Sequence, residues 1–275
     1  MEPEIYARNL LEQLQINSYP INPFKIADAL NILHYMVDAE SYDGMIVNFE
    51  DNVFININKN LTPAGRQNFT MAHELGHFSI PSHKGRRFEC QTLYINPFNK
   101  KRTEEVEANR FASELLMPKN LFKPLVYDYK PEFEDIAELS ELFETSLSAA
   151  AIRFISFTEE SCALVVSDGK NIKWSVKSSS FPYFIPNDEP ITSSTLTRSY
   201  IYKGVVPEFA SQETPASYWI EGKGINRNTK IIESCLPIMA YNRIYTLLWF
   251  FEPIIEEDDE EYEERYEEKE WKWSS

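Results

Sequence analysis

The segment Thr62-Pro63-Ala64-Gly65-Arg66-Gln67-Asn68-Phe69-Thr70-Met71-Ala72-His73-Glu74-Leu75-Gly76-His77-Phe78-Ser79-Ile80-Pro81 carries more structural information than any other part of the chain. Phe69, Ala72, His73, Gly76, His77 and Ile80 recur at steps of three and four, the spacing of one helix face. Thr62 offers an oxygen to cap free amides, Pro63 suits the first helical position, and Pro81 ends the run. His73-Glu74-Leu75-Gly76-His77 is therefore a His-Glu-x-x-His pattern inside a helix, with both imidazoles on its inward face. Two imidazoles so placed bind one Zn2+, and Glu74 beside them reaches the water that such an ion activates, as a general base. Half of the four histidines lie in this pattern, and Gly76 permits close packing behind it.

Zinc used for hydrolysis takes three protein donors and keeps an open position. His83, six residues after His77, has the spacing of a third histidine, but the glycine that such a turn requires is replaced by Ile80 followed by Pro81. A second helix is expected from Thr103 to Pro118, with Ala108, Phe111, Ala112, Leu115 and Leu116 as its apolar stripe. At about 100° per residue, Glu104 and Glu105 fall near that stripe, whereas Glu107 turns toward Arg110 and Glu114 on the polar side. Spacing alone leaves Glu104 or Glu105 as the third donor.

Outward from these two helices, residues 5–15 and Pro23 to Leu33 read as short helices. Tyr35 to Val37, Gly44 to Phe49 and Val53 to Ile57 read as strands, with Glu50-Asp51-Asn52 as a hairpin turn. Ile136 to Phe154 reads as two short helices around Thr145-Ser146. Cys162 to Val166 and Ile172 to Val176 read as a hairpin about Asp168-Gly169. Ser217 to Ile220, Ile231 to Leu236 and Ile244 to Phe251 read as further strands. The expected division is a metal-site domain over 1–125, a helical segment over 126–158, an α/β unit over 159–255 and an acidic tail over 256–275.

The motif helix, together with Glu105-Val106-Glu107-Ala108-Asn109-Arg110-Phe111-Ala112-Ser113-Glu114-Leu115-Leu116-Met117-Pro118, resembles the ImmA/IrrE zinc metallopeptidases. The resemblance is close over residues 25–120, looser over Ile136 to Phe154 and slight after 180. It implies an α+β fold: a small zincin-like domain of gluzincin type with an active-site helix, followed by a helical segment and a second α/β unit. It implies Zn2+ on His73, His77 and Glu105, with Glu74 as the catalytic base that later hands a proton to the leaving amine. Asn109 would hydrogen-bond a ligand imidazole. His83 would stabilise the oxyanion or, as we favour, close the loop. Val53 to Asn58, if it borders the cleft, would hold an extended substrate by backbone pairing. The substrates implied are regulatory proteins such as helix-turn-helix repressors or antitoxins, in stress responses or mobile elements. The alternative is a non-catalytic zinc protein that binds a repressor or toxin.

Composition narrows the partner. The 275 residues carry 43 acidic and 27 basic side chains, a net of -16, which disfavours direct nucleic-acid binding. Residues 256–275 hold a net of -8, with 11 acids against Arg265, Lys269 and Lys272. Lys84, Arg86, Arg87, Lys100, Lys101 and Arg102 form a local basic cluster. The tail is a candidate for attracting a basic DNA-binding regulator or mimicking its DNA. Leu139 to Phe154 suggests a helix-turn-helix shape, yet its acidic neighbours favour simple packing. The α/β unit is a candidate sensor, and Tyr218 and Trp219 are as readily core residues. With 3 widely spaced cysteines, no long apolar run and no basic leader, a cytoplasmic protein without a membrane segment is expected. Only 8 glycines are present and no phosphate-cradling glycine loop is found. The oligomeric state is not specified by the sequence.

Overall fold

Helix α3 (Ala64–Ser79) holds ten buried residues, among them the whole run from Phe69 to His77. It ends where Ile80, the residue before Pro81, turns extended at φ -82° and ψ 117°, since proline disfavours helical dihedrals in its predecessor. Its start differs from the expected Thr62 cap. Pro63 itself takes the cap position in an extended conformation, no side chain caps the helix, and the Pro63 carbonyl accepts from the Arg66 amide at 2.9 Å. The computed structural model describes residues 2–49, 52–83, 88–90, 103–203, 210–226, 228–238 and 243–251. Two residues of the expected hairpin turn, Glu50 and Asp51, the basic cluster at 84–102 and the tail at 256–275 lie outside them.

A mixed four-stranded sheet lies against α3. Its strands are β1 (Leu33–Val37), β2 (Gly44–Phe49), β3 (Asn52–Asn58) and β4 (Phe88–Cys90), in the order β1-β3-β2-β4. β1 runs parallel to β3, while β2 pairs antiparallel with both β3 and β4. The period-2 alternation turns Ile46, Ile55 and Ile57 into the core. β3 is thus bonded along both edges. This corrects the expectation that Val53 to Asn58 could pair with a substrate, because no free row of amides and carbonyls remains on it.

Helices α1 (Pro3–Gln13), α2 (Pro23–Ala29), α4 (Thr103–Leu116), α5 (Lys119–Val126), α6 (Phe133–Leu142) and α7 (Leu147–Phe157) complete this part. α4 crosses α3 where Gly76 faces Ala108: a Cβ on Gly76 would stand 3.2 Å from the Ala108 Cα and carbonyl oxygen. Arg110 ties α4 to α1 through two bonds to Glu4, at 2.7 and 2.9 Å. The α6–α7 turn holds the start of α3, with the Asn68 side-chain amide donating to the Glu144 carbonyl at 2.7 Å and the Thr145 carbonyl filling the space a Gly65 side chain would need. Ser146 caps α7, its hydroxyl accepting from the Ala149 amide at 3.2 Å. Arg153 of α7 is turned inward, donating to the Met117 carbonyl and paired with buried Glu114. Its side chain serves helix packing.

The second sheet is antiparallel, five-stranded and ordered β6-β5-β9-β8-β7. It comprises β5 (Cys162–Ser167), β6 (Ile172–Lys177), β7 (Ala210–Pro215), β8 (Lys230–Ile238) and β9 (Arg243–Trp249), with α8 (Leu196–Lys203) against it. Leu164, Val166 and Leu247 join the same core as α3 and α7. Their strand neighbours Ala163, Val165 and Leu248 face a second core with Phe181, Trp219 and Ile220. Ser217 to Ile220 is not a strand: Ala216–Tyr218 is a 3-10 turn, and the amides of Trp219 and Ile220 both donate to the Ala216 carbonyl at 3.0 Å. The architecture is mixed α+β. No helix among the described residues is long and apolar enough to cross a membrane.

Candidate metal centre

His73 and His77, one turn apart on α3, and Glu105, near the start of α4, each offer one donor atom, and the three lie within 4.8 Å of one another. The His73 and His77 Nε2 atoms are 3.1 Å apart. Glu105 reaches His73 Nε2 at 3.3 Å through one carboxylate oxygen and His77 Nε2 at 3.7 Å through the other. Both histidines are buried, and Glu105 is the partly exposed member that opens the group toward solvent. Of the two acids left open by spacing, Glu105 joins the group and Glu104 does not.

The outer ring nitrogens are also held. His73 Nδ1 is 2.9 Å from Asn109 Oδ1, and an amide oxygen only accepts, so His73 carries its proton on Nδ1. Asn109 lies one helical turn after Glu105, on the same face. His77 Nδ1 is 3.0 Å from His83 Nδ1, and His83 Nε2 is 2.9 Å from Glu107 Oε2. His83 therefore stands behind His77, on the side away from Glu105, and is not a third donor. Glu107, placed by helix phase among polar surface residues, instead reaches the short 3-10 turn Pro81–His83. A helical wheel carries no signal for this contact, because the turn after α3 brings His83 around to meet it. Glu114, also assigned to the polar side, is buried with Arg153.

With each Nδ1 turned outward, the two imidazole Nε2 atoms and a carboxylate converge on one point. A cation stabilises such an arrangement, and two imidazoles with one carboxylate are a donor set that zinc accepts. Burial, followed by the neighbouring His73 and His83, pushes His77 far below the ordinary histidine range, which keeps its ring neutral. Burial also opposes charge on His73, but the Glu105 hydrogen bond, the Glu74 and Glu105 charges and the Asn109 bond outweigh it and raise its pKa. The site favours positive charge at its centre.

Glu74 is completely buried and supplies none of the three donors. Gly44, at the start of β2, is what leaves room for it: a Cβ there would sit 2.5 Å from Glu74 Oε1 and 2.6 Å from Thr70 Cγ2. Sequence reasoning missed Gly44, since a strand glycine can mark either a bulge or a close approach.

The class defined by this fold and this group of side chains is an α+β domain with a His-Glu-x-x-His centre and a glutamate from the following helix. Residues 27–154, a little under half of the chain, match the IrrE N-terminal-like domain of the Peptidase_M78 family, in keeping with the resemblance to the ImmA/IrrE metallopeptidases. A relative, "Uncharacterized immunity region protein 2" of Bacillus phage phi105, is 36% identical over 110 residues, covering 35% of this chain and 59% of that protein. The match thus spans under two thirds of the relative's length. A solved structure, a Mycobacterium tuberculosis transcriptional regulator, aligns with a TM-score of 0.55 at 11% identity, over 90% of this chain and 75% of that one. At that identity it bears on the fold alone.

Proposed function

We propose that the protein is a zinc-dependent endopeptidase that cuts a regulatory protein, with His73, His77 and Glu105 holding the ion and Glu74 acting as base. The observation that carries this reading is Glu74: a fully buried carboxylate that acts electrostatically on His73 yet donates nothing to the three-atom group. A metal held only for structure has no use for it. Zinc, when bound, would polarise the scissile carbonyl and acidify a water beside it. Glu74 takes a proton from that water and returns it to the amine that departs, while Gly44 leaves the space in which its carboxylate moves the proton. The partial exposure of Glu105 supports a substrate approach from its side of the group.

A protein substrate of regulatory type is supported by the family and by the phage relative, whose name places it in an immunity region. A repressor or antitoxin that binds DNA suits the net charge of -16, since a basic partner is attracted to an acidic enzyme. Cytoplasmic residence is part of this proposal. The test is to load the wild type and Glu74→Gln with zinc, capture a partner with the variant, and offer that partner to both. Equal zinc with cleavage by the wild type alone is the expected result. Equal processing by Glu74→Gln would contradict the mechanism and favour a protein that works by holding its partner.

A further inference from the structure

The contacts behind His77 form a directed chain, and it ends on a residue that the metal-site motif does not use. Glu107 accepts only, so the nitrogen 2.9 Å away, His83 Nε2, must donate to it. In a neutral His83 the other nitrogen, Nδ1, is then an acceptor. His77 Nδ1, at 3.0 Å, must donate to that acceptor, which leaves the His77 Nε2 lone pair directed at His73 Nε2 and Glu105. Geometry reinforces the order. His83 is 1% exposed and enclosed, and it sits in a three-residue turn pinned by its own amide, which donates to the Ile80 carbonyl at 3.0 Å. Its ring is therefore held by the surrounding protein. Glu107 closes the chain from α4, two residues after Glu105, so one helix supplies both a donor to the centre and the anchor behind it.

We propose that Glu107 and His83 are positioning residues: a carboxylate–imidazole pair that locks His77 in the Nδ1–H tautomer and so holds its Nε2 ready for the ion. The role rests on the zinc-centre reading and gives His83 a different task from oxyanion stabilisation, because its ring lies behind His77. Asn109 does for His73 what the pair does for His77, but through a single amide. Outer partners of this kind typically change metal affinity by about 10- to 100-fold.

The test reads tautomer and affinity separately. In zinc-free wild type at pH 8, long-range 15N–1H correlation should place the His77 proton on Nδ1, and His83→Ala should abolish that preference. Competition with a chromophoric chelator should show zinc affinity lowered about 10- to 100-fold in Glu107→Ala and in His83→Ala, with the double variant no weaker than His83→Ala alone, since Glu107 acts through His83. The Glu107 side chain is 32% exposed, so its truncation leaves the fold intact even if His83→Ala does not fold. Wild-type affinity in Glu107→Ala and His83→Ala, or a His77 proton on Nε2 in the wild type, overturns the relay while leaving the zinc centre standing, provided that Glu105→Ala loses the ion. A wild type that binds no zinc overturns both.

Discussion

At the scale of single residues, the candidate site is mostly a matter of who touches whom behind the three donors. His73, Glu74 and His77 are legible from a five-residue pattern, because helical phase alone puts the two imidazoles together. Glu105 needed the family resemblance to separate it from Glu104, since 100° of helix rotation does not decide between two adjacent long side chains. Glu107 and Gly44 were illegible: the first depends on where a turn brings His83, the second on how closely β2 approaches α3. Gly44→Ala tests that approach. Its methyl group would collide with Glu74 and Thr70, both held in a packed helix, so we expect a loss of stability of about 1–3 kcal/mol and a displaced Glu74. The check is urea denaturation beside zinc content and cleavage, with the ion retained and turnover reduced at least tenfold. Normal turnover would mean that β2 yields and the contact does not position the base.

At the scale of elements, periodicity found the helices whose stripes are strong and missed those defined by context. α3, α4, α6, α7 and the β5–β6 hairpin stand where their patterns put them. β7, Ala-Ser-Gln-Glu-Thr-Pro, has too little apolar character to announce itself, and it is a strand because β8 offers it a partner over Ala210 to Pro215. Ser217 to Ile220 failed in the opposite sense, as its apolar residues fill the second core from a 3-10 turn. The crossing of α3 and α4 is the element-level feature on which the site depends, because it sets the distance between the histidines and Glu105. Gly76→Ala would press a Cβ against Ala108 and Phe111 at 3.2 Å. The expected outcome is destabilisation of about 1–3 kcal/mol together with weaker zinc binding, whereas lost stability with unchanged affinity would show that the crossing relaxes without moving Glu105.

α4 and α7 are joined by a buried ion pair, Glu114 with Arg153, and Arg153 also donates to the Met117 carbonyl just past the end of α4. Arg153 lies over the Phe157 ring, 4.5 Å from its centroid. Removing Arg153 leaves buried Glu114 with only the half-exposed Arg8, 3.6 Å away, as a counterion, so Arg153→Ala should cost about 3 kcal/mol. Replacing both at once, as Glu114→Leu with Arg153→Met, should recover most of that loss in a thermal melt. A double variant as unstable as the single one would show that the Met117 bonds, and not the charge pair, fasten α7.

At the scale of the whole molecule, one sheet links two cores. β5 and β9 alternate side chains between the core that contains α3 and the core that contains Trp219, so the metal-centre helix and the C-terminal unit share a wall. The sequence announced strands here but not their order, because antiparallel pairing between residues about 80 apart leaves no local trace. Asp168, in the β5–β6 turn, reports on this unit. Burial would raise its pKa, but the Asn171 amide, Lys173 and the Lys170 amide bring it down to about 2 from 3.8. A carboxyl depressed on folding contributes stability above its unfolded pKa and loses it as pH falls through the folded value. Wild type should therefore exceed Asp168→Asn in stability at pH 5, and the gap should close between about pH 4 and pH 2. A gap constant over that range would assign the effect to packing and not to charge.

The proposed three-donor zinc centre is best tested by anomalous diffraction at the zinc edge on crystals grown with the ion. One peak is predicted within about 2.0–2.2 Å of His73 Nε2, His77 Nε2 and a Glu105 carboxylate oxygen, with His83 turned away from it and bonded to His77 Nδ1. A peak bound to His83, or no peak between α3 and α4, would contradict the account.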